Sequence, residues 1–157
     1  MPESAVRERI ETIVRDHAGR PGPLLLVLHA VQQEFGFIPE DAVPWIAAAL
    51  NLSRAEVHGV VTFYHYFRSS PAGQHVVQVC RAESCQAMQG EALAAHAEQR
   101  LQTEFHGTSA DGKFSLEPVY CLGNCACSPA IMIDGELHGR VSNERFDALI
   151  GALDHQT

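Results

Sequence analysis

The first 70 residues carry apolar side chains at the spacing of an α-helix. In the opening segment these side chains recur three or four positions apart, at Val6, Ile10, Ile13 and Val14. A second helix is predicted to begin at Pro23, because a proline in the first turn removes no helical hydrogen bond, and to end at Gly36. Further helices are predicted over about 41–50 and 54–62. The pattern therefore predicts a bundle of about four helices.

The start of the fourth predicted helix has a capping signature. Ser53 is followed three positions later by Glu56. In this arrangement the serine hydroxyl accepts a hydrogen bond from a backbone N–H of the first turn, and the glutamate carboxylate accepts one from the backbone N–H of the serine. The signature predicts a helix that begins at Arg54.

The pattern changes to that of strands after the turn-forming segment 69–73 (SSPAG). A valine-rich run predicts a strand that ends at Cys80. Residues 86–102 then show helical periodicity, and a second strand is predicted over 114–120, immediately before Cys121. Each of these two strands is therefore expected to end beside a cysteine.

The last third of the chain predicts a hairpin followed by a helix. Two apolar segments, 130–133 and 137–141, flank the dipeptide Asp134-Gly135, which is a strong hairpin signal. The final helix is expected after Ser142. The predicted fold class is thus α/β (α+β), a helical bundle followed by a thioredoxin-like domain of the order β-α-β-β-β-α.

Composition bounds the class of protein without identifying it. The chain has 157 residues, of which 46% are apolar, enough for one or two small packed domains. The 11 basic against 19 acidic residues give a net charge of −8, which argues against nucleic-acid binding. No apolar run near the start could span a bilayer or serve as a signal peptide. We therefore expect a cytoplasmic protein with no direct membrane insertion, divided into domains 1–70 and 71–157.

The five cysteines carry the chemistry of the chain. Cys80 and Cys85 are separated by four residues, and Cys121 and Cys125 by three. In a reducing compartment, clustered cysteines are metal ligands or redox groups more often than disulfides. A parallel β-α-β unit brings both strand ends to one edge of the sheet, so the two pairs are predicted to face each other.

Two short turns with two thiols each suit a [2Fe-2S] cluster, which needs two cysteines per iron. Our hypothesis assigns Cys80 and Cys85 to one iron and Cys121 and Cys125 to the other. Cys127 is interpreted as a small apolar residue beside the cluster, with a spare ligand as the alternative. No catalytic residues are predicted, because the sequence shows no nucleophile–base pair, phosphate-binding loop or carboxylate pair.

Two other uses of the cysteines stay open at this point. A structural zinc module with four cysteine ligands would need the same four thiols, but such sites usually have two-residue gaps within each pair. A thiol-disulfide enzyme normally uses Cys-x-x-Cys, which this sequence lacks. The histidines, including His58 and His65, are interpreted as packing or interface residues, because none lies within two residues of the four paired cysteines.

At the level of motifs, residues 20–150 resemble the thioredoxin-like [2Fe-2S] ferredoxin subunits of NADH-linked oxidoreductases, the family of the small iron–sulphur subunit of complex I. The resemblance rests on residues 52–64 (LSRAEVHGVVTFY), on the two cysteine pairs and on Pro129 shortly after them. It implies one [2Fe-2S] cluster per chain, held by Cys80, Cys85, Cys121 and Cys125. It also implies an electron-transfer subunit with no substrate chemistry of its own.

Within that family, the chain is most similar to the gamma subunit of NAD-dependent, molybdenum-containing formate dehydrogenase. The segments 75–83 (HVVQVCRAE) and 125–130 (CACSPA) carry this likeness. It implies a larger partner subunit with FMN and the NAD site, a molybdenum-containing catalytic subunit, and a helical segment that clamps onto the partner. The equivalent subunits of complex I and of NAD-reducing hydrogenases are the alternatives.

Overall fold

The protein divides into two compact units, Met1–Pro71 and Ala72–Thr157. The structure is a computed structural model that describes residues 3–154. Among its helices, none combines the length and the apolar character needed to cross a bilayer. Each unit has a hydrophobic core of its own.

The N-terminal unit is a bundle of four helices, as predicted. They are α1 (Glu3–His17), α2 (Pro23–Phe35), α3 (Ala42–Leu50) and α4 (Arg54–Phe63). The apolar positions that predicted the helices form the core, in which the side chains completely or almost completely excluded from solvent include Ile10, Leu28, Val31, Ile46 and Val57. Burial of these faces supplies the stability that short helices lack in isolation.

The ends of these helices follow from local chemistry. Pro23 begins α2, and Gly36 ends it in the left-handed conformation, with φ 81° and its N–H donating to the Gln32 carbonyl at 2.8 Å. At α4 the predicted capping box is present. The Glu56 N–H donates to Ser53 Oγ at 3.2 Å, and the Ser53 N–H donates to Glu56 Oε2 at 2.8 Å.

The C-terminal unit is a five-stranded mixed sheet with helices, which confirms the predicted thioredoxin-like class. Its strands are β1 (His75–Cys80), β2 (Gly107–Thr108), β3 (Phe114–Val119), β4 (Ile131–Ile133) and β5 (Glu136–His138), in the order β2-β3-β1-β4-β5. Its helices are α5 (Glu83–Ala87), α6 (Gly90–Leu101) and α7 (Asn143–Asp154). The core lies between these helices and the sheet, with Val77, Leu116, Ile131, Phe146 and Ile150 fully buried.

One predicted detail of this unit is wrong, and one strand was not predicted. The single helix expected over 86–102 is two helices, because Gln89 takes a left-handed conformation with φ 66° and interrupts the hydrogen-bond ladder. The strand that was not predicted is β2, which pairs antiparallel with β3. A two-residue strand is too short to leave a period-two pattern in the sequence.

The sheet places the cysteine-bearing turns at one edge. Strands β1 and β3 run parallel, as predicted, with Cys80 opposite Val119. Both strands therefore end at the same edge, and Cys121 follows two residues after Val119. Strand β4 lies on the other side of β1, antiparallel to it, and enters the sheet directly after the second cysteine turn.

Candidate metal centre

The first cysteine pair is buried at the end of β1. Cys80 is the last residue of β1 and Cys85 lies in α5, and only 3% and 2% of these residues, respectively, is exposed to solvent. They form a small apolar cluster with Ala130, which precedes β4. The two thiols lie close enough for each to shift the pKa of the other. The pair is therefore fixed by regular secondary structure on both sides.

The second pair lies in an irregular, exposed turn. Cys121 follows β3, and Cys125 begins a short 3-10 turn, Cys125–Cys127. Their sulphur atoms are 3.7 Å apart, and the Gly123 N–H donates to Cys121 Sγ at 3.3 Å. Cys121 and Gly123 both have positive φ, at 114° and 74°, and this tight path brings the backbone N–H close to the sulphur.

Burial and hydrogen bonding shift the pKa values of the first pair in opposite directions. Burial raises the pKa of the Cys80 thiol, and N–H groups of Ala82 and Leu122 offset only part of that effect. For Cys85, burial is again the largest single influence and acts upward. Hydrogen bonds from Ser128, Cys80 and the Ala130 N–H together outweigh it and leave the pKa of Cys85 below its ordinary value. Cys85 is thus the thiol of the pair whose thiolate is better stabilised.

The two pairs lie within electrostatic reach of each other. The pKa of Cys125 is raised, first by its hydrogen bond and like charge with Cys121, and also by the negative charges of Cys85 and Cys80. Among residues 3–154, no three His, Cys, Asp or Glu side chains are arranged to hold a single metal ion.

This donor set fits a two-iron cluster. Each iron of such a cluster takes two thiolates, and the cluster together with its four thiolates carries net negative charge that backbone N–H groups stabilise. Four thiols in two pairs are present, and backbone N–H groups of Ala82, Leu122, Gly123 and Ala130 already point at their sulphur atoms. The residues present therefore suit the group.

Cys127 plays a packing part in the second turn. It is half-buried, and its carbonyl accepts the Arg140 N–H at 2.6 Å. Gly139 is pressed against it, because a Cβ on Gly139 would lie 2.7 Å from Cys127 Cβ and 2.7 Å from Asn124 Nδ2. The segment after β5 thus packs against the second turn.

Two serines at the site were not predicted from the sequence. Ser84 precedes Cys85 in α5, and Ser128 follows the 3-10 turn. Their hydroxyl oxygens are 2.9 Å apart, and both lie within hydrogen-bond distance of the Cys125 carbonyl. Their position beside the cysteine-rich segments was visible in the sequence, but a contact across more than 40 positions was not.

Comparison with known proteins identifies the family. The profile described as thioredoxin-like [2Fe-2S] ferredoxin matches residues 10–154. The chain belongs to this family. It is therefore an electron-transfer [2Fe-2S] protein of the type found as subunits of NADH-linked oxidoreductases, and the thioredoxin-like fold predicted from its sequence is the fold of its family.

Its relatives include subunits of two kinds of complex. A NADH-quinone oxidoreductase subunit of Pseudomonas aeruginosa is 37% identical over 125 residues, which cover 80% of this chain and 75% of that protein. The corresponding protein of Escherichia coli is 32% identical over 147 residues, covering 94% and 89%. A NADP-reducing hydrogenase subunit of Solidesulfovibrio fructosivorans is 29% identical over 143 residues, covering 90% and 82%.

A solved structure shares the fold. In the air-oxidized NAD+-reducing [NiFe]-hydrogenase, one chain superposes on 82% of this protein with a TM-score of 0.67 and 23% identity. This protein spans 23% of the length of that hydrogenase chain. At this identity the likeness establishes the fold and nothing further about partners.

Proposed function

We propose that this chain is the electron-transfer subunit of an NAD-dependent formate dehydrogenase, with one [2Fe-2S] cluster held by Cys80, Cys85, Cys121 and Cys125. The cluster accepts and releases one electron at a time when bound. The single observation that carries the ligand assignment is the approach of the two thiol-bearing turns at one edge of the sheet, where Ser84 of the first turn donates to the Cys125 carbonyl of the second at 3.1 Å.

The protein's own groups have distinct parts in this proposal. The buried pair fixes the position of the site, because both of its cysteines belong to regular elements packed in the core. The exposed pair leaves one side of the site open to a partner. The backbone N–H groups that point at the sulphurs stabilise the negative charge of the thiolates without adding a titrating group.

The choice of formate dehydrogenase rests on the segments 75–83 and 125–130. In the structure these segments are β1 with the start of the first cysteine turn, and the 3-10 turn with the residues that lead into β4. They contain Cys80 and Cys125, one cysteine of each proposed ligand pair, so a subgroup likeness there concerns part of the site. The matched relatives from NADH-quinone oxidoreductase and NADP-reducing hydrogenase support the wider class and keep those two complexes as the alternatives.

In this proposal the chain works inside a cytoplasmic complex. A larger subunit carries FMN and the NAD site, and a molybdenum-containing subunit oxidises formate. Residues 71–157 form the cluster domain, and residues 1–70 form the clamp on the larger subunit. Exposed aromatic side chains at the end of the helical unit, Phe63, Tyr64 and Tyr66, support a contact role for it.

The test is purification of the tagged full-length chain from its native cells. We expect co-purification of a flavin subunit and a molybdenum subunit, and formate should produce the reduced-cluster EPR signal in the isolated complex. NADH should produce the same signal through the flavin subunit. Co-purification with quinone-reductase subunits, and no response to formate, would contradict the formate dehydrogenase assignment and favour the complex I alternative.

A further inference from the structure

Two serine hydroxyls join the two cysteine turns. Ser84 lies in the first turn and Ser128 at the end of the second, 44 positions later, and their Oγ atoms are 2.9 Å apart. Ser128 is 7% exposed and Ser84 is half-buried, so solvent water is largely excluded from the contact. This hydroxyl pair is the only side-chain bridge between the turns other than the thiols themselves that the structure shows within residues 3–154.

One carbonyl in this contact has two hydroxyl donors. The Cys125 carbonyl accepts from Ser128 Oγ at 2.9 Å and from Ser84 Oγ at 3.1 Å. One donor is enough to satisfy a buried carbonyl, although its two lone pairs can take both. The hydrogen bond from Ser84 therefore leaves the proton of Ser128 free to turn elsewhere without loss of a buried partner.

The alternative acceptor is the sulphur of Cys85. Its Sγ lies 3.4 Å from Ser128 Oγ, and in the thiol form the S–H donates to that oxygen. A thiolate, the form that binds iron, has no proton to donate and becomes an acceptor. The same contact then reverses, with the Ser128 O–H donating to Cys85 Sγ while Ser84 alone serves the Cys125 carbonyl.

We infer that Ser128 and Ser84 are positioning residues that set the reduction potential of the site. Ser128 donates a hydrogen bond to the Cys85 thiolate. Ser84 donates to the Cys125 carbonyl and so leaves the Ser128 hydroxyl available for the sulphur. The inference rests on the proposed function, because it needs Cys85 as a ligand. It assigns no electron-transfer step to either serine. Both act through the charge on one sulphur.

The direction of the effect follows from charge. A hydrogen bond to the thiolate stabilises negative charge, and the reduced state has one more negative charge than the oxidised state. The bond therefore favours reduction and raises the potential. Because a hydrogen bond to a charged group is strong and only part of its strength differs between the two oxidation states, we expect a change of about tenfold in the reduced-to-oxidised ratio.

The experiment is an EPR-monitored redox titration of the full chain and of separate variants of it. At a fixed applied potential, Ser128→Ala should lower the reduced-to-oxidised ratio of the cluster about tenfold. This corresponds to a reduction potential lower by about 59 mV for a one-electron couple. Ser128→Thr, which keeps a hydroxyl, should restore most of the shift. Ser84→Ala should lower the potential less, because Ser128 would then be held more often by the Cys125 carbonyl.

The double variant separates this account from two independent local effects. If Ser84 acts only through Ser128, then Ser84→Ala with Ser128→Ala should titrate like Ser128→Ala alone. Additive shifts would overturn the inference. Ser115→Ala is the matched control, since Ser115 is 1% exposed and lies within β3, hydrogen-bonded to Gly73 and Thr108 instead of to the cysteine turns. The reduction potential of Ser115→Ala should equal that of the wild type.

A measurement on the unsubstituted protein covers the case in which Ser128→Ala loses the cluster. Proton ENDOR of the reduced protein, recorded soon after mixing with D2O, should show loss of one coupled proton at the fast rate of a hydroxyl, unlike the slower backbone N–H protons near the sulphurs, and this proton should persist in Ser128→Thr. The absence of such a fast-exchanging proton in the wild type would overturn the inference. An unchanged potential in Ser128→Ala with a full cluster would also overturn it. A wild-type chain that binds no two-iron cluster would instead refute the proposed function.

Discussion

The two cysteine pairs are alike in chemistry and unlike in surroundings. Cys80 and Cys85 lie in a strand and a helix and are 3% and 2% exposed, whereas Cys121 and Cys125 lie in an irregular turn and are exposed. In the proposed electron-transfer site, the two pairs meet two different requirements, a fixed position and access for a redox partner. The buried pair gives the fixed position in the core, and the exposed pair gives the access.

The same contrast appears in how each turn is supported. Gly90 at the start of α6 packs against the first turn, where a Cβ would lie 2.5 Å from the Cys85 carbonyl oxygen. Gly139 packs against the second turn, where its Cβ would meet the Asn124 side-chain amide and the Cβ and carbonyl oxygen of Cys127. The atoms that confine Gly90 all belong to Cys85, whereas those that confine Gly139 include one amide side chain that can shift.

The largest expected effect is loss of the cluster when the buried pair is changed. Cys85→Ser should strip the cluster, because the shorter iron–oxygen distance cannot be met by a side chain held in α5. Cys125→Ser should retain a cluster with an altered EPR spectrum, because the exposed turn can move toward the iron. Iron and sulphide analysis with EPR measures both, and full loss in Cys125→Ser with a normal cluster in Cys85→Ser would reverse the comparison.

A second large effect is expected in the metal-free protein. Alkylation by iodoacetamide should modify Cys121 and Cys125 at least about tenfold faster than Cys80 and Cys85, because burial excludes the reagent from the first pair until the unit opens locally. Peptide mass spectrometry after timed quenching measures the four rates, and addition of denaturant is the control that should make them equal. Equal rates in the folded protein would show that the first pair is not buried in solution.

A smaller effect on stability is expected when a methyl group is added to the glycine that packs against each turn. Gly90→Ala and Gly139→Ala should each destabilise the protein by about 1–3 kcal/mol, because the new methyl group overlaps atoms that must shift. Gly90→Ala should also reduce cluster content, since the Cys85 backbone would move with it. Thermal unfolding of the metal-free protein and iron content measure the two consequences.

The control for that pair of variants is Gly151→Ala. Gly151 lies in α7, and a Cβ built there meets nothing within 4 Å. Alanine should stabilise the helix by up to about 1 kcal/mol and leave iron content unchanged. If Gly139→Ala lowered iron content more than Gly90→Ala, the second turn would be the less tolerant of the two.

The smallest effect is expected for Cys127→Ser. The residue is half-buried beside the second turn, where its backbone carbonyl, which the substitution keeps, accepts the Arg140 N–H. Absorption and EPR spectra of the variant should match those of the wild type. A lost cluster in Cys127→Ser would show that Cys127, and not Cys125, is the fourth ligand.

Much of the fold, and the approach of the two cysteine-bearing turns, could be predicted from the sequence. A valine-rich run located β1, a second strand was predicted over 114–120, and the right-handed parallel crossover rule then required Cys80 and Cys121 to approach one edge. The capping pair of Ser53 and Glu56 located the start of α4. These predictions depend on local pattern and on general topology, which a single sequence carries.

The remainder depends on contacts between distant segments. Nothing in the spacing distinguishes the buried pair from the exposed one, because burial comes from α5 and from Ala130 packing over β1. The break at Gln89 was missed because a left-handed glutamine has no pattern of its own. The bridge between Ser84 and Ser128 is a meeting of two turns far apart in sequence, and only the folded unit brings them together.

The measurement that tests the central claim most directly is metal and sulphide analysis of the purified full chain, combined with EPR before and after dithionite. The account predicts a red-brown protein with about two irons and about two acid-labile sulphides per chain, and a rhombic half-spin signal after reduction. A folded, colourless protein that contains a single zinc and gives no EPR signal would contradict it.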